Sequence, residues 1–184
     1  MTWRVEVNDK EYSNKIELEN GGLLSALYTF KGRYFSSGSI VEKTLIPKKY
    51  THVWKTNKVN KTMSLVFNNN KLESLEQTPV ESEKLRFDIF KINETKDPLS
   101  SFLQIIYGAK KSLVVDGRRI YTMNAVYDKK TKEINIELTN YSNLWADHKR
   151  SDFEKISFQK SNGDFLPTKI HIYFDGRVFK IKEG

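Results

Sequence analysis

Alternation with a period of two recurs along the chain, and it limits the fold more than any other feature. Trp3, Val5 and Val7 alternate with Thr2, Arg4 and Glu6; Ile16 and Leu18 with Lys15 and Glu17; Tyr50, His52 and Trp54 with Thr51, Val53 and Lys55. Met63, Leu65 and Phe67 repeat the pattern, as do Tyr121, Met123, Ala125 and Tyr127, then Ile134, Ile136 and Leu138, then Ile170, Ile172 and Phe174. Successive strand side chains point to opposite faces, so each segment reads as a strand with one buried and one wet face. Their spacing of about ten residues, with turn residues between, predicts an antiparallel sheet. Asp175-Gly176 sits between two such runs as a two-residue hairpin link, and Asp116-Gly117 reads similarly. Asn68-Asn69-Asn70 and Asn162-Gly163-Asp164 are further turns, and Ser36-Ser37-Gly38-Ser39 reads as a tight strand segment.

Two segments follow the helical period instead. Asp97-Pro98 opens the clearer one: Asp accepts from the free amides of a first turn, and Pro fits that turn. Leu99, Phe102, Leu103, Ile106 and Tyr107 then form one apolar stripe, and Gly108 supplies a left-handed end. The expected helix is Asp97–Tyr107. A shorter one is expected at Leu23–Phe30, from Leu23, Leu24, Leu27 and Tyr28, ended by Gly32.

The 184 residues suit one domain, with no repeat and no low-complexity linker. No apolar run approaches the roughly 18 residues of a membrane-spanning helix. With no Cys, disulfides, thiol nucleophiles and cysteine-held metals are excluded. The net charge of +8 invites an anionic partner. However, 24 of the 31 basic residues are Lys, they are scattered, and Arg is the better reader of phosphates and bases. A solvated surface without specific nucleic-acid binding is expected.

No catalytic, cofactor-binding or metal-binding residue is nominated, no cofactor is expected, and ligand-binding residues stay unassigned. His52, His148 and His171 are far apart and in no metal-ligand spacing. The Ser36–Ser39 segment lacks the elbow motif of a serine nucleophile. Asp88, Asp97, Asp116, Asp164 and Asp175 fall mostly at turns or caps, where their side chains bond the backbone. Three Trp, nine Tyr and 11 Phe are mostly core material, and rings lining a concave sheet could hold a lipid chain.

Four stretches carry a resemblance. They are Gly21-Gly22-Leu23-Leu24-Ser25-Ala26-Leu27-Tyr28; Asp97-Pro98-Leu99-Ser100-Ser101-Phe102-Leu103; Val115-Asp116-Gly117-Arg118-Arg119-Ile120-Tyr121; and Leu166-Pro167-Thr168-Lys169-Ile170. In this order they resemble the bacterial domain-of-unknown-function family numbered 3108, over about Trp3 to Ile181. The resemblance implies an exported Gram-negative envelope domain with a fold similar to the lipoprotein carriers of the Lol system, and it transfers no catalytic residue. The expected fold is therefore mainly β (α+β): a curved antiparallel sheet, an incompletely closed half-barrel, with one main and one short helix packed on it. The expected role is non-enzymatic and periplasmic, binding or carrying an apolar ligand such as a lipid or acylated lipoprotein. An envelope interaction or assembly module working through a sheet edge is the alternative, and an enzyme acting on envelope polysaccharide or lipid the third reading. A carrier needs a continuous apolar concavity, an interaction module an uncovered edge and a filled interior. Met1 runs directly into a strand-like segment with no basic or apolar leader, whereas family members carry a signal peptide and an earlier strand. One side of Trp3–Val7 is therefore expected to be open.

Overall fold

The computed structural model describes residues 2–19, 30–145, 153–160, 166–174 and 176–182. Within them the chain is mainly β. The strands are β1 (Thr2–Val7), β2 (Glu11–Glu19), β3 (Phe30–Val41), β4 (Thr44–Thr56), β5 (Asn60–Asn68), β6 (Lys71–Thr78), β7 (Thr95–Lys96), β8 (Lys111–Val115), β9 (Arg119–Asp128), β10 (Glu133–Asn143), β11 (Phe153–Gln159), β12 (Lys169–Phe174) and β13 (Arg177–Lys182). One α-helix, α1 (Pro98–Ile106), and a 3-10 turn at Ile89–Lys91 complete the described elements. The strands divide into a six-stranded sheet in the order β1 to β6 and a seven-stranded sheet in the order β13 to β7. Neither closes into a barrel. Every neighbour is antiparallel except β7 and β8, which run parallel across α1.

The turns follow from residue chemistry. Asn69 and Asn70 adopt φ of 50° and 58° between β5 and β6, the left-handed pair that a two-residue hairpin requires and Asn tolerates. Gly117 has φ +86°, and a Cβ there would lie 1.8 Å from Met63 Sδ, so the β8–β9 turn closes tightly on β5. Glu42 and Lys43 take φ of 49° and 65° between β3 and β4, with neither Gly nor Asn to mark the turn.

Helix α1 starts where its sequence says. Asp97 Oδ1 accepts from the Leu99 and Ser100 amides, each at 3.0 Å. The helix packs on β8 and β9 of one sheet and on β3 and β4 of the other. Its burial therefore extends beyond the expected stripe: Ser100, Ser101 and Ile105 are buried along with Leu99, Phe102, Leu103 and Ile106, whereas Tyr107 is only half-buried. A single-stripe reading assumes one covering layer, and here there are two. Phe102, Leu103, Ile105 and Ile106 join Tyr12 and Leu45 from one sheet to Val114, Tyr121, Met123, Ile136, Phe158 and Ile170 from the other. Leu99 joins a second cluster with Tyr50, Leu65, Phe67, Leu72, Val115, Ile120, Leu144 and Trp145. The short helix expected at Leu23–Phe30 lies almost wholly outside the described residues. Its expected last residues differ: Phe30 opens β3, and Gly32 is a strand residue opposite Trp54.

Candidate functional site

Three places bring polar or reactive groups together. The first is a knot at the start of α1. Ser36 on β3 and Ser100 on α1 both donate to Asp97 Oδ2, the former at 2.9 Å. Both serine protons being used, the Tyr12 hydroxyl donates to Ser100 Oγ at 2.6 Å. Asn14 donates to the Leu99 carbonyl at 3.2 Å and accepts from the Trp3 indole at 2.7 Å. Gly38 makes room: a Cβ there would stand 2.1 Å from the Ile46 carbonyl oxygen and 2.8 Å from the Tyr12 hydroxyl. Burial raises the Asp97 carboxyl, opposed by its bonds from Ser100, Ser36 and the Leu99 amide. Beside it, Lys96 donates to the Leu45 carbonyl and, at 2.9 Å, to Asn70 Oδ1. Burial lowers the Lys96 ammonium, while Glu94 and Asp97 raise it. Asp97, Ser36, Ser100 and Asn14 have no exposed surface and Tyr12 almost none. The knot fastens the helix to β2 and β3 and presents nothing to a solute.

The second place is His52 on β4. Its ring stacks on Tyr34 at 4.3 Å and meets Trp54 edge-on at 6.2 Å. His52 Nε2 is buried without a hydrogen-bond partner among the described residues. Burial first, and the Arg119 charge second, lower the imidazole to about 4. The sign follows directly. A histidine with a folded pKa near 4 and an unfolded pKa near 6.5 binds its proton better when unfolded, so its contribution is complete above the unfolded value and is lost as pH falls toward 4. Between pH 7.5 and 4.5 the loss from this group amounts to about 2–3 kcal/mol. His52→Phe keeps the ring stack and removes the titration. Urea melts should show the wild type losing about 2–3 kcal/mol more than the variant over that interval. Asp97, whose raised carboxyl acts in the opposite sense, is present in both proteins and cancels in the comparison. Equal losses would show that His52 does not carry the acid sensitivity.

The third place is the outer side of β1. In the sheet order β1 is terminal, with β2 as its neighbour. The Asn8 amide donates to the Glu11 carbonyl at 3.0 Å, continuing the register that sets Thr2 opposite Glu17 and Val7 opposite Tyr12. In the alternating antiparallel pattern, Asn8, Glu6, Arg4 and Thr2 then bond to β2, and the amides and carbonyls of Trp3, Val5 and Val7 point away from it. Trp3 and Val5 pack on the core, and Trp3 lies 5.9 Å from Phe102. Val7 is 39% exposed, and Arg4 and Glu6 stand exposed on the opposite face. This edge is thus held from inside by Trp3, and no described strand pairs with its outward backbone groups.

The other residues weighed from the sequence fall elsewhere. Asp88 caps the 3-10 turn through the Phe90 amide, and Asp116 accepts from the Arg118 amide at 3.0 Å. His171 Nδ1 sits 4.0 Å from Glu133 on the second sheet, whereas His52 belongs to the first. Ser36–Ser39 lies inside β3, with Ser36 committed to Asp97. His148, Asp164 and Asp175, and the turn at 162–164, lie outside the described residues. No group of three or more His, Asp or Glu able to hold a metal ion occurs among the described residues, and no described helix is long and apolar enough to cross a membrane. What sequence reading missed is the knot around Asp97. Its cap role is visible in Asp-Pro, but Tyr12, Asn14 and Ser36 lie 61 to 88 residues from the groups they bond and carry no local signal.

No family model, no curated protein and no solved structure matches the chain.

Proposed function

We propose that the protein is a non-enzymatic interaction module of the bacterial envelope, working through the β1 edge of its first sheet. The observation that carries this reading is the occupation of the space between the sheets by α1. The helix is pinned at both ends. Asp97 caps its start, and at its other end Gln104 accepts from the Leu45 amide at 2.7 Å and donates to the Lys43 carbonyl at 3.2 Å. Lys160 adds a bond to the Ile106 carbonyl at 3.2 Å. Apolar side chains from both sheets close around it, so an acyl chain would have to displace the core itself. The polar groups that do converge, around Asp97, serve the same packing. The envelope and periplasmic setting comes from the resemblance of the four stretches.

Native mass spectrometry of protein extracted from its source separates this reading from the carrier alternative. The expected spectrum contains polypeptide assemblies without lipid. A stoichiometric lipid adduct would contradict the edge reading and restore the carrier.

A further inference from the structure

We propose that two copies of this chain pair antiparallel through β1, about a two-fold axis at Val5, joining their first sheets into one. The proposal rests on the edge reading above and names the partner.

Hydrogen-bond geometry narrows the choices first. Only Trp3, Val5 and Val7 offer outward amides and carbonyls, so in a symmetric pair these three must face one another. That leaves the two-fold axis at residue 4, 5 or 6. The charges then choose among them. An axis at Arg4 sets Arg4 against its own copy, and an axis at Glu6 sets Glu6 against its own copy. Like charges directly opposite on a strand pair are destabilising. An axis at Val5 sets Arg4 against Glu6 twice, once from each chain. These are non-hydrogen-bonded positions of the new ladder, where opposed side chains come closest. Within its own sheet Arg4 faces Lys15, whose ammonium is paired with Glu17 at 3.0 Å, and the acid on its open side is the Glu6 of the other copy.

The buried face agrees with the same register. Trp3 of one copy meets Val7 of the other, and Val5 meets Val5. The exposed valine at the end of β1 is thereby covered by the ring that already packs on Phe102. All three outward residues exchange both backbone bonds. One register therefore satisfies hydrogen bonding, charge and apolar burial together. The strand needs little ordering to accept it, because the Trp3–Asn14–Leu99 chain of bonds already fixes it to the helix.

Sedimentation equilibrium on the full chain tests this. The wild type is expected to form a dimer. Arg4→Glu and Glu6→Arg each place like charges opposite and should weaken it about tenfold or more. The double variant Arg4→Glu/Glu6→Arg restores opposite charges and should return to within about threefold of wild type. An equimolar mixture of the two single variants pairs an all-acidic with an all-basic edge and should associate more strongly than either alone. Both residues are exposed, so urea midpoints taken at concentrations where the wild type is monomeric should stay close to wild type. A second measurement needs no variant: hydrogen exchange of the Val5 amide should slow as wild-type concentration rises. A wild type that stays monomeric, or a dimer indifferent to the single charge reversals, overturns self-pairing. That failure is distinguishable from failure of the edge reading, which a stoichiometric lipid adduct would show.

Discussion

Phe102→Ala is expected to lower the free energy of unfolding by about 3–5 kcal/mol, the range for removing a buried ring that its surroundings cannot refill. Phe102 sits in the middle of α1, with the Trp3 ring at 5.9 Å and 45° on one side and the Phe158 ring at 5.9 Å and 85° on the other. Those partners belong to different sheets, so the ring holds the layers together through the helix. Two stiff sheets cannot close on the vacated volume as a loop could, which puts the cost in the upper part of the range. For a chain of this size the loss corresponds to a fall in melting temperature of about 10 °C. Urea melts measure it directly. A loss below about 1 kcal/mol would mean that the ring is not clamped between the sheets.

Asp97→Ala should cost about 3–4 kcal/mol, through two additive losses. The cap of α1 disappears, worth about 1–2 kcal/mol. The hydroxyls of Ser36 and Ser100 then lose their common acceptor in a place without water, at about 1–3 kcal/mol. Release of a buried carboxylate, which burial already disfavours, returns part of this. Asp97→Asn keeps an oxygen for the Leu99 and Ser100 amides but puts a donor where Ser36 and Ser100 need an acceptor, so the hydroxyls must reverse and its cost should be about 1–3 kcal/mol, below that of Ala by the retained cap. Urea titration of the three proteins checks the order. Equal losses for Ala and Asn would show that the Oδ1 cap contributes nothing beside the Oδ2 acceptor.

The fold was legible where local chemistry decides it. Period two located β1, β5, β9, β10 and β12, because their outer faces are wet and their inner faces are core. The Asp-Pro start of α1 and the Asn turn between β5 and β6 act through neighbours in sequence. What stayed hidden depends on distant residues. The β3–β4 turn is made by Glu42 and Lys43, whose left-handed backbone is imposed by the pairing of the two long strands rather than by a turn-forming side chain. β6 alternates weakly, since Leu72 and Leu75 straddle a bulge that shifts the parity of its inner face. The second buried face of α1 became visible only with the second sheet in place. In β1 the apolar parity of Trp3, Val5 and Val7 marked the inward face, whereas its terminal place in the described sheet came only with the structure.

The central claim is that α1 is fixed core, leaving the β1 edge as the working surface. Native-state hydrogen exchange across the chain at low protein concentration measures both halves together. The amides of Phe102 to Ile106 are expected to exchange only through global unfolding, with the free energy that urea melts report, while the outward amides of Trp3, Val5 and Val7 exchange readily. Exchange of the α1 amides through a local opening several kcal/mol below global unfolding would contradict the account, because it would make the helix a lid over an interior that opens.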